Sequence, residues 1–250
     1  MTRAGRRPHP SDGGGRASYR RPPHEAGLGA RLGGVAVLGF AACGPVTPGD
    51  YPPPNPELLT ANQDAGDPYF GRFPYEEAVA GLPAGTPMAV LVTDEGEIHC
   101  RLAIDTAPLT VANFIGLARG LRPFQLEADG PWLREPYYVD LPWHRAIERQ
   151  FIQTGERGGP SSPGYRLQDE RSIGDAFDGP GVLAMANRGM ADTAGAEFFV
   201  TSAALRDLDG QYTIFGRCSD PFVVRALEER AVEGGDATPR LVEVRIEVES

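Results

Sequence analysis

The sequence contains no lysine: all 24 of its basic residues are arginine, and its 34 acidic residues leave a net charge of −10 at pH 7. A surface with such an excess of negative charge repels phosphate groups. The same charge favours solubility and carries no information about the fold. We therefore expect no nucleic-acid partner.

Several motifs that mark particular enzyme chemistries are also absent. The 4 histidines and 3 cysteines are not spaced as metal ligands, and neither a phosphate-binding P-loop nor the elbow of a nucleophilic serine occurs. The sequence thus predicts no metal and no cofactor. It argues against nucleotide-dependent and acyl-transfer enzymes.

Cysteine is scarce, and the first one, Cys43, ends an uncharged apolar run at residues 32–43. This run follows several arginines, ends in small residues and is too short to span a bilayer, as is typical of a secretory signal. A buried strand or helix is the alternative. The ending Phe-Ala-Ala-Cys-Gly at 40–44 resembles a bacterial lipoprotein signal, which implies that Cys43 is lipidated.

These features divide the chain into three parts. Residues 1–43 form the predicted signal segment, 44–87 a linker rich in proline and glycine, and 88–250 the folded domain. The prolines predict an extended spacer up to about residue 67, and helical spacing at 75–82 allows one short helix. We expect an exported monomer of the cell envelope, held in the periplasm by a lipid anchor that is its sole membrane contact.

The two other cysteines, Cys100 and Cys218, form an even pair in a protein predicted to reach an oxidising compartment. They either form a disulfide or are two buried free thiols. A disulfide would close a loop of roughly 120 residues and stabilise the protein by about 4–5 kcal/mol. Both alternatives stay open at this point.

Strand patterns begin and end the predicted domain. Residues 88–93 and 97–104 are rich in Val, Ile and Leu and flank a short turn, which predicts a β-hairpin. Near the C-terminus, Val242 to Val248 alternate with charged residues, which predicts a half-buried strand.

Two helices accompany these strands. One is predicted at 108–120, and a second begins after Asp220 and Pro221. The second helix is expected to bury a face formed by Phe222, Val223, Ala226 and Leu227. Many strands with two helices predict a β-barrel plugged by helices.

A lone cation stands among aromatic residues at 141–155. On a strand with period two, one face would carry Arg145 together with Trp143, Ile147, Phe151 and Gln153. A guanidinium turned toward apolar side chains is costly to desolvate. Arg145 is therefore either a buried structural partner or the chemical centre of a pocket.

Five motifs, in order, resemble the cyclophilin family of peptidyl-prolyl cis-trans isomerases. They are Trp-His-Arg-Ala-Ile at 143–147, Phe-Ile-Gln-Thr-Gly at 151–155, Gly-Val-Leu-Ala-Met-Ala-Asn at 181–187, Gly-Ala-Glu-Phe-Phe at 195–199, and Leu-Asp-Gly-Gln-Tyr-Thr-Ile-Phe-Gly at 208–216. The resemblance covers residues 88–250. It implies a mainly β fold, an eight-stranded antiparallel barrel capped by two helices. It also implies catalysis without cofactor on proline-containing segments of unfolded or exported proteins.

The resemblance also assigns residues to roles. Arg145 matches the arginine that donates to the prolyl nitrogen, which implies that it is the catalytic residue. Binding of the substrate backbone and proline ring is implied for matching or nearby positions, namely Phe151, Gln153, Ala186, Asn187, Glu197, Phe199, Leu208 and Tyr212. The family's pocket phenylalanine aligns without a gap on Gln150, and a shift of one residue would restore an aromatic through Phe151.

Other departures from the family concern charge. Glu197 replaces a glutamine and Asp207 an aromatic residue, and Tyr212 stands where many members have histidine. We expect Glu197 to pair with Arg145 and to occupy its donors, so that Glu197→Gln would raise activity. Two functions follow as hypotheses: a prolyl isomerase of exported proteins, or a peptide-binding envelope lipoprotein of the same fold with little catalysis. A structural envelope protein that uses the barrel only as a scaffold is a third alternative.

Overall fold

In the computed structural model, residues 48–159, 162–172, 174–233 and 238–249 are described. The predicted signal segment and its lipidation site, Cys43, lie outside these ranges. Within them, no helix has both the length and the apolar character needed to cross a membrane.

One antiparallel sheet contains all nine strands of the described residues. Its order is β3-β9-β1-β2-β8-β6-β7-β5-β4. The strands are β1 Thr86–Thr93, β2 Gly96–Leu102, β3 Val139–Pro142, β4 Arg145–Ile147, β5 Phe151–Thr154, β6 Val182–Met185, β7 Phe198–Thr201, β8 Ile214–Cys218 and β9 Arg240–Glu249. The predicted hairpin is β1 with β2, and the predicted closing strand is β9, where Val242 is an exposed exception at a bulge.

The two edges of this sheet are neighbours in sequence. Strand β3 pairs with β9 at one edge and β4 pairs with β5 at the other, and Trp143 and His144 alone separate β3 from β4. Because the three steps from Pro142 to Arg145 span no more than about 11 Å, the sheet must curl until its edges come close together. With β3 and β4 taken as one interrupted strand, the predicted eight-stranded barrel is confirmed.

The described residues contain four α-helices: the two predicted for the domain, the short helix allowed at 75–82, and one that was not predicted. They are α1 Pro56–Asp64, α2 Tyr75–Ala78, α3 Pro108–Ala118 and α4 Pro221–Glu233. Every residue of α3 is buried. The predicted inner face of α4 is wrong at Phe222, which is 85% exposed. Leu227 is buried as predicted, and so is Val224, which was not predicted.

The extended spacer predicted up to residue 67 is wrong for the part that the structure describes. Asn55 caps α1 by accepting hydrogen bonds from two backbone amides of its first turn. Just beyond α1, Asp67 forms an ion pair with Arg122 at 2.7 Å, and both side chains are 0% exposed. The segment therefore packs as part of the domain.

Cys100 and Cys218 form a disulfide, which decides between the two alternatives. They lie directly opposite each other in the pairing of β2 with β8, with an S–S distance of 2.09 Å. The bond therefore links neighbouring strands that are 118 residues apart in sequence.

Side chains alternate between two apolar clusters on opposite faces of the sheet. The larger cluster fills the barrel and includes Phe114, Phe198 and Phe215. The smaller cluster lies on the other face and consists of Phe151, Phe177, Val182, Ala184, Phe199 and Ile214. Neighbours such as Phe198 and Phe199 thus belong to different clusters, as the period of two requires.

Candidate active site

The smaller cluster provides an aromatic floor. The ring of Phe199 lies 5.2 Å from Phe151, 5.8 Å from Phe177 in a stacked arrangement, and 5.3 Å from Tyr212 edge to face. Strands β5 and β7 hold Phe151 and Phe199 in the sheet. An apolar surface of this kind suits a flat aliphatic ring such as that of proline.

Arg145 lies over the edge of this floor. Its guanidinium carbon is 5.1 Å from the centre of the Phe151 ring, and its Nη1 donates to Oε1 of Gln153 at 3.4 Å. Arg145 and Gln153 are paired across β4 and β5, which fixes this contact. The residue is exposed, so the alternative of a buried structural partner is wrong.

The predicted common face holds for four of its five members. Ile147 and Phe151 pack in the smaller cluster, beside the paired Arg145 and Gln153. Trp143 is the exception, because the strand is interrupted after Pro142 and its side chain turns into the barrel, 1% exposed. The strand break thus separates the barrel core from the site.

Glu197 does not pair with Arg145, contrary to expectation. Its Oε2 accepts a hydrogen bond from Nε2 of Gln153 at 2.7 Å and lies 3.4 Å from Nε2 of His144. The hydrogen bond with His144 is the main reason that the pKa of Glu197 falls below its usual value, against an opposing effect of burial. Gln153 therefore stands between the carboxylate and the guanidinium.

A glycine allows this approach. Gly155 follows β5 with φ at +95°, and a Cβ there would lie 2.7 Å from the carbonyl oxygen of Ala196 and 2.9 Å from Cα of Glu197. Any other residue would push the two segments apart. The end of β5 can therefore run close beside Glu197.

The remaining predicted binding residues form a rim around the floor. Ala186, Leu208 and Tyr212 are partly buried against the smaller cluster. Asn187 donates to the carbonyl of Gln211 at 3.1 Å and accepts from the amide of Gly189 at 3.0 Å, which shapes the turn after β6. All predicted substrate-binding residues thus lie together or at this rim.

The structure also shows where Gln150 and Asp207 lie, two positions at which the sequence departs from the family. Gln150 is exposed in the turn between β4 and β5, whereas the next residue, Phe151, supplies the aromatic of the floor. Asp207 is exposed in a 3₁₀ helix, Arg206–Leu208, and its backbone oxygen accepts from the side chain of Gln211.

A cavity of about 300 Å³ adjoins the site and shares Ala186, Asn187 and Glu197 with it. Tyr137 lines its wall, and its hydroxyl donates to the carbonyl of Gly155 at 3.2 Å. Burial raises the pKa of Tyr137 to about 12, so that this wall presents a neutral hydroxyl.

Two residues of the site were missed by sequence reasoning. His144 was not among the predicted site residues, yet it contacts Glu197, and its place beside Arg145 at the strand break is the signal that could have found it. Phe177 lies in a loop, where its backbone amide donates to Oδ1 of Asp209 at 2.7 Å and its ring stacks on Phe199. No sequence motif marks it.

Comparison with known proteins agrees with this geometry. The family described as "Cyclophilin type peptidyl-prolyl cis-trans isomerase/CLD" matches residues 88–248. The chain belongs to this family. The resemblance seen in the five motifs is thus confirmed, and the protein is a cyclophilin-type peptidyl-prolyl isomerase.

Bacterial cyclophilins are among the similar sequences. Peptidyl-prolyl cis-trans isomerase A of Mycobacterium tuberculosis is 36% identical over 165 residues, which cover 64% of this chain and 90% of that protein. Peptidyl-prolyl cis-trans isomerase B of Streptomyces anulatus is 38% identical over 133 residues, covering 52% and 75%. The hypothesis of a binding protein without catalysis is not favoured by these relatives.

Solved structures show the same fold. A cyclophilin-type isomerase of Cryptosporidium parvum superimposes with a TM-score of 0.53 at 24% identity, covering 66% of this chain and 99% of that one. A second structure of that protein, in the presence of the dipeptide Ala-Pro, gives a TM-score of 0.50 at 25% identity, covering 65% and 99%.

Proposed function

We propose that this cyclophilin accelerates isomerisation of Xaa-Pro bonds with Arg145 as its catalytic residue. The observation that carries the proposal is the placement of an exposed guanidinium at the edge of an aromatic floor. A proline ring held on Phe151 and Phe199 would bring its nitrogen beneath the donors of Arg145. Proline-containing peptides are the proposed ligands, and the Cryptosporidium structure determined with Ala-Pro supports this class.

Catalysis by this arrangement follows from the electronics of the peptide bond. The bond before proline turns slowly because the nitrogen lone pair is shared with the carbonyl. A hydrogen bond from a charged donor to this nitrogen becomes stronger as the peptide bond twists, because the lone pair then localises on the nitrogen. Arg145 would therefore bind the transition state better than either ground state, which is the requirement for rate acceleration.

The test is an isomerisation assay on the full chain and its Arg145→Ala variant with a short proline peptide. We expect the variant to lose most of the acceleration and to keep the melting temperature, since Arg145 is exposed and holds no core residue. Equal rates would refute Arg145 as the catalytic residue. Binding of the peptide without acceleration by the wild type would support the non-catalytic alternative.

We also propose that the enzyme acts on exported proteins from a lipid anchor at Cys43 in the periplasm. The apolar run before Cys43 supports this. A bacterial host that processes lipoproteins should retain the wild-type chain in its membrane fraction, and Cys43→Ser should release it or leave it unprocessed. A wild-type protein found entirely in the soluble fraction would contradict the anchor.

A further inference from the structure

The side-chain amide of Gln153 connects two charged groups of the site. Its Nε2 donates to Oε2 of Glu197 at 2.7 Å, and its Oε1 accepts from Nη1 of Arg145 at 3.4 Å. The amide is buried, whereas Arg145 is exposed and Glu197 keeps 42% of its side chain in contact with solvent. The orientation of this one amide thus decides whether Arg145 faces the carbonyl oxygen or the NH₂ group of Gln153.

Donor and acceptor chemistry allows a single orientation. An ionised carboxylate accepts hydrogen bonds only, and a guanidinium donates only. Turning the Gln153 amide over would place its carbonyl against the Glu197 carboxylate and its NH₂ group against Arg145. Both contacts with the charged groups would then be unfavourable, and the amide would keep a contact only with His144, whose Nε2 lies 3.4 Å from Nε2 of Gln153.

His144 holds the carboxylate from another side. Its Nε2 lies 3.4 Å from Oε2 of Glu197, and its Nδ1 is buried without a hydrogen bond among the residues described. With its proton on Nε2, His144 donates to Glu197, and the same Nε2 also lies 3.4 Å from Nε2 of Gln153. The carboxylate therefore has two donors that fix its place beside Gln153.

We propose that Glu197 is a positioning residue that locks the Gln153 amide, so that the Gln153 carbonyl holds the Arg145 guanidinium over the aromatic floor. The role depends on the proposed catalytic function of Arg145. A glutamine at position 197, which the cyclophilin motif has there, could accept or donate and would leave the Gln153 amide free to turn over. The carboxylate is thus a device of this chain for preorganising its arginine.

The experiment compares the full-length wild type with Glu197→Gln in a prolyl-isomerisation assay that separates kcat from KM. We expect kcat to fall about three- to tenfold, as loss of one hydrogen bond produces, with a smaller change in KM and an unchanged melting temperature. Glu156→Gln is the matched control, because Glu156 lies 3.8 Å from His144 but is 60% exposed. It removes the same charge without touching Gln153 and should leave kcat unchanged.

A double variant shows whether the effect passes through Gln153. Glu197→Gln should have no further effect in a Gln153→Ala background, because the amide that it orients is gone. A Glu197→Gln variant as active as the wild type, or more active, would overturn the proposal, and so would independent effects in the double variant. A wild type no faster than Arg145→Ala would instead refute the proposed function of Arg145.

Discussion

At the scale of single residues, Arg145 depends on the shape of its head group as well as on its charge. Its guanidinium lies over the Phe151 ring and bonds Gln153 with one of its nitrogens. A planar fork can do both at once and still present a donor to a substrate. The ammonium group of a lysine, which acts as a point charge of the same sign, cannot make both contacts and also donate to a substrate.

We therefore expect Arg145→Lys to lower kcat/KM about tenfold or more, although the positive charge remains. Arg149→Lys is the control, since Arg149 lies in the same β4–β5 hairpin with its side chain 88% exposed. Both variants are measured in the isomerisation assay. An Arg145→Lys enzyme with wild-type activity would mean that charge alone is sufficient.

The titration of Glu197 gives a second prediction at this scale. Its pKa is lowered from 4.5, first by the hydrogen bond with His144 and then by Gln153 and the charge of Arg188. The ionised carboxylate therefore stabilises the folded protein at pH values above 4.5. The contribution is lost as the pH falls through the lower pKa of the folded state. We expect the wild type to show an acid loss of kcat below pH 4.5 that is missing in Glu197→Gln, and identical acid limbs would contradict this.

The sequence identified most of the site but not its internal contacts. Motif order placed Arg145, Gln153 and Phe199 together, and the strand pairings confirm that they are neighbours. The partner of Glu197 was predicted wrongly, because opposite charges suggested a pair. Gln153 lies on β5, which pairs with β4 on one side and with β7 on the other. The register of these pairings is a property of the folded sheet and cannot be read from the charges in the sequence.

At the scale of elements, the disulfide joins two strands whose pairing is short. Strands β2 and β8 pair over three residues from each strand, and Cys100 and Cys218 form one of these pairs. Strand β8 also carries Ile214 of the smaller cluster. The bond thus fastens a strand that contributes to the smaller cluster.

Removing this bond should lower stability strongly. For a sequence separation of 118 residues, the chain-entropy model gives about 4–5 kcal/mol for the Cys100→Ser, Cys218→Ser double variant. Urea unfolding of the oxidised wild type and of the variant measures the difference. Addition of a reductant should destabilise the wild type and leave the variant unaffected, and an equal response of both proteins would contradict the role of the bond.

Helix α1 shows why prolines alone misled the prediction of an extended spacer. Pro56 occupies the first turn, where its missing N–H is not needed, and Asn55 caps the helix in front of it. The cap followed by proline was a readable signal for a helix start. The packing of that helix was not readable, because its ion pair involves Arg122, which is distant in sequence.

At the scale of the whole molecule, the N-terminal part of the described chain belongs to the barrel domain. Asp67 accepts two hydrogen bonds from Arg122 and also binds the backbone amides of Tyr69 and Gly71. The Arg122 guanidinium lies 3.7 Å from the centre of the Tyr165 ring. A chain shortened to begin at Met88 would lose Asp67, the carboxylate partner of Arg122.

We expect Asp67→Ala to destabilise the protein by about 3–5 kcal/mol, because it strands a buried charge. Asp64→Ala is the matched control, since Asp64 ends α1 and is exposed. Thermal or urea unfolding of the two variants checks the difference. Similar stabilities for both would contradict a stabilising role of the Asp67–Arg122 pair.

The connection between β3 and β4 has a consequence for folding during synthesis. The proposed site residues lie between His144 and Tyr212, and all of them leave the ribosome before β9. Yet β3, which leads into His144 and Arg145, has β9 as its neighbour in the sheet, and β1 also pairs with β9. A nascent chain therefore holds every residue of the site without a closed barrel to shape it, and the enzyme should become active only after Arg240–Glu249 has emerged.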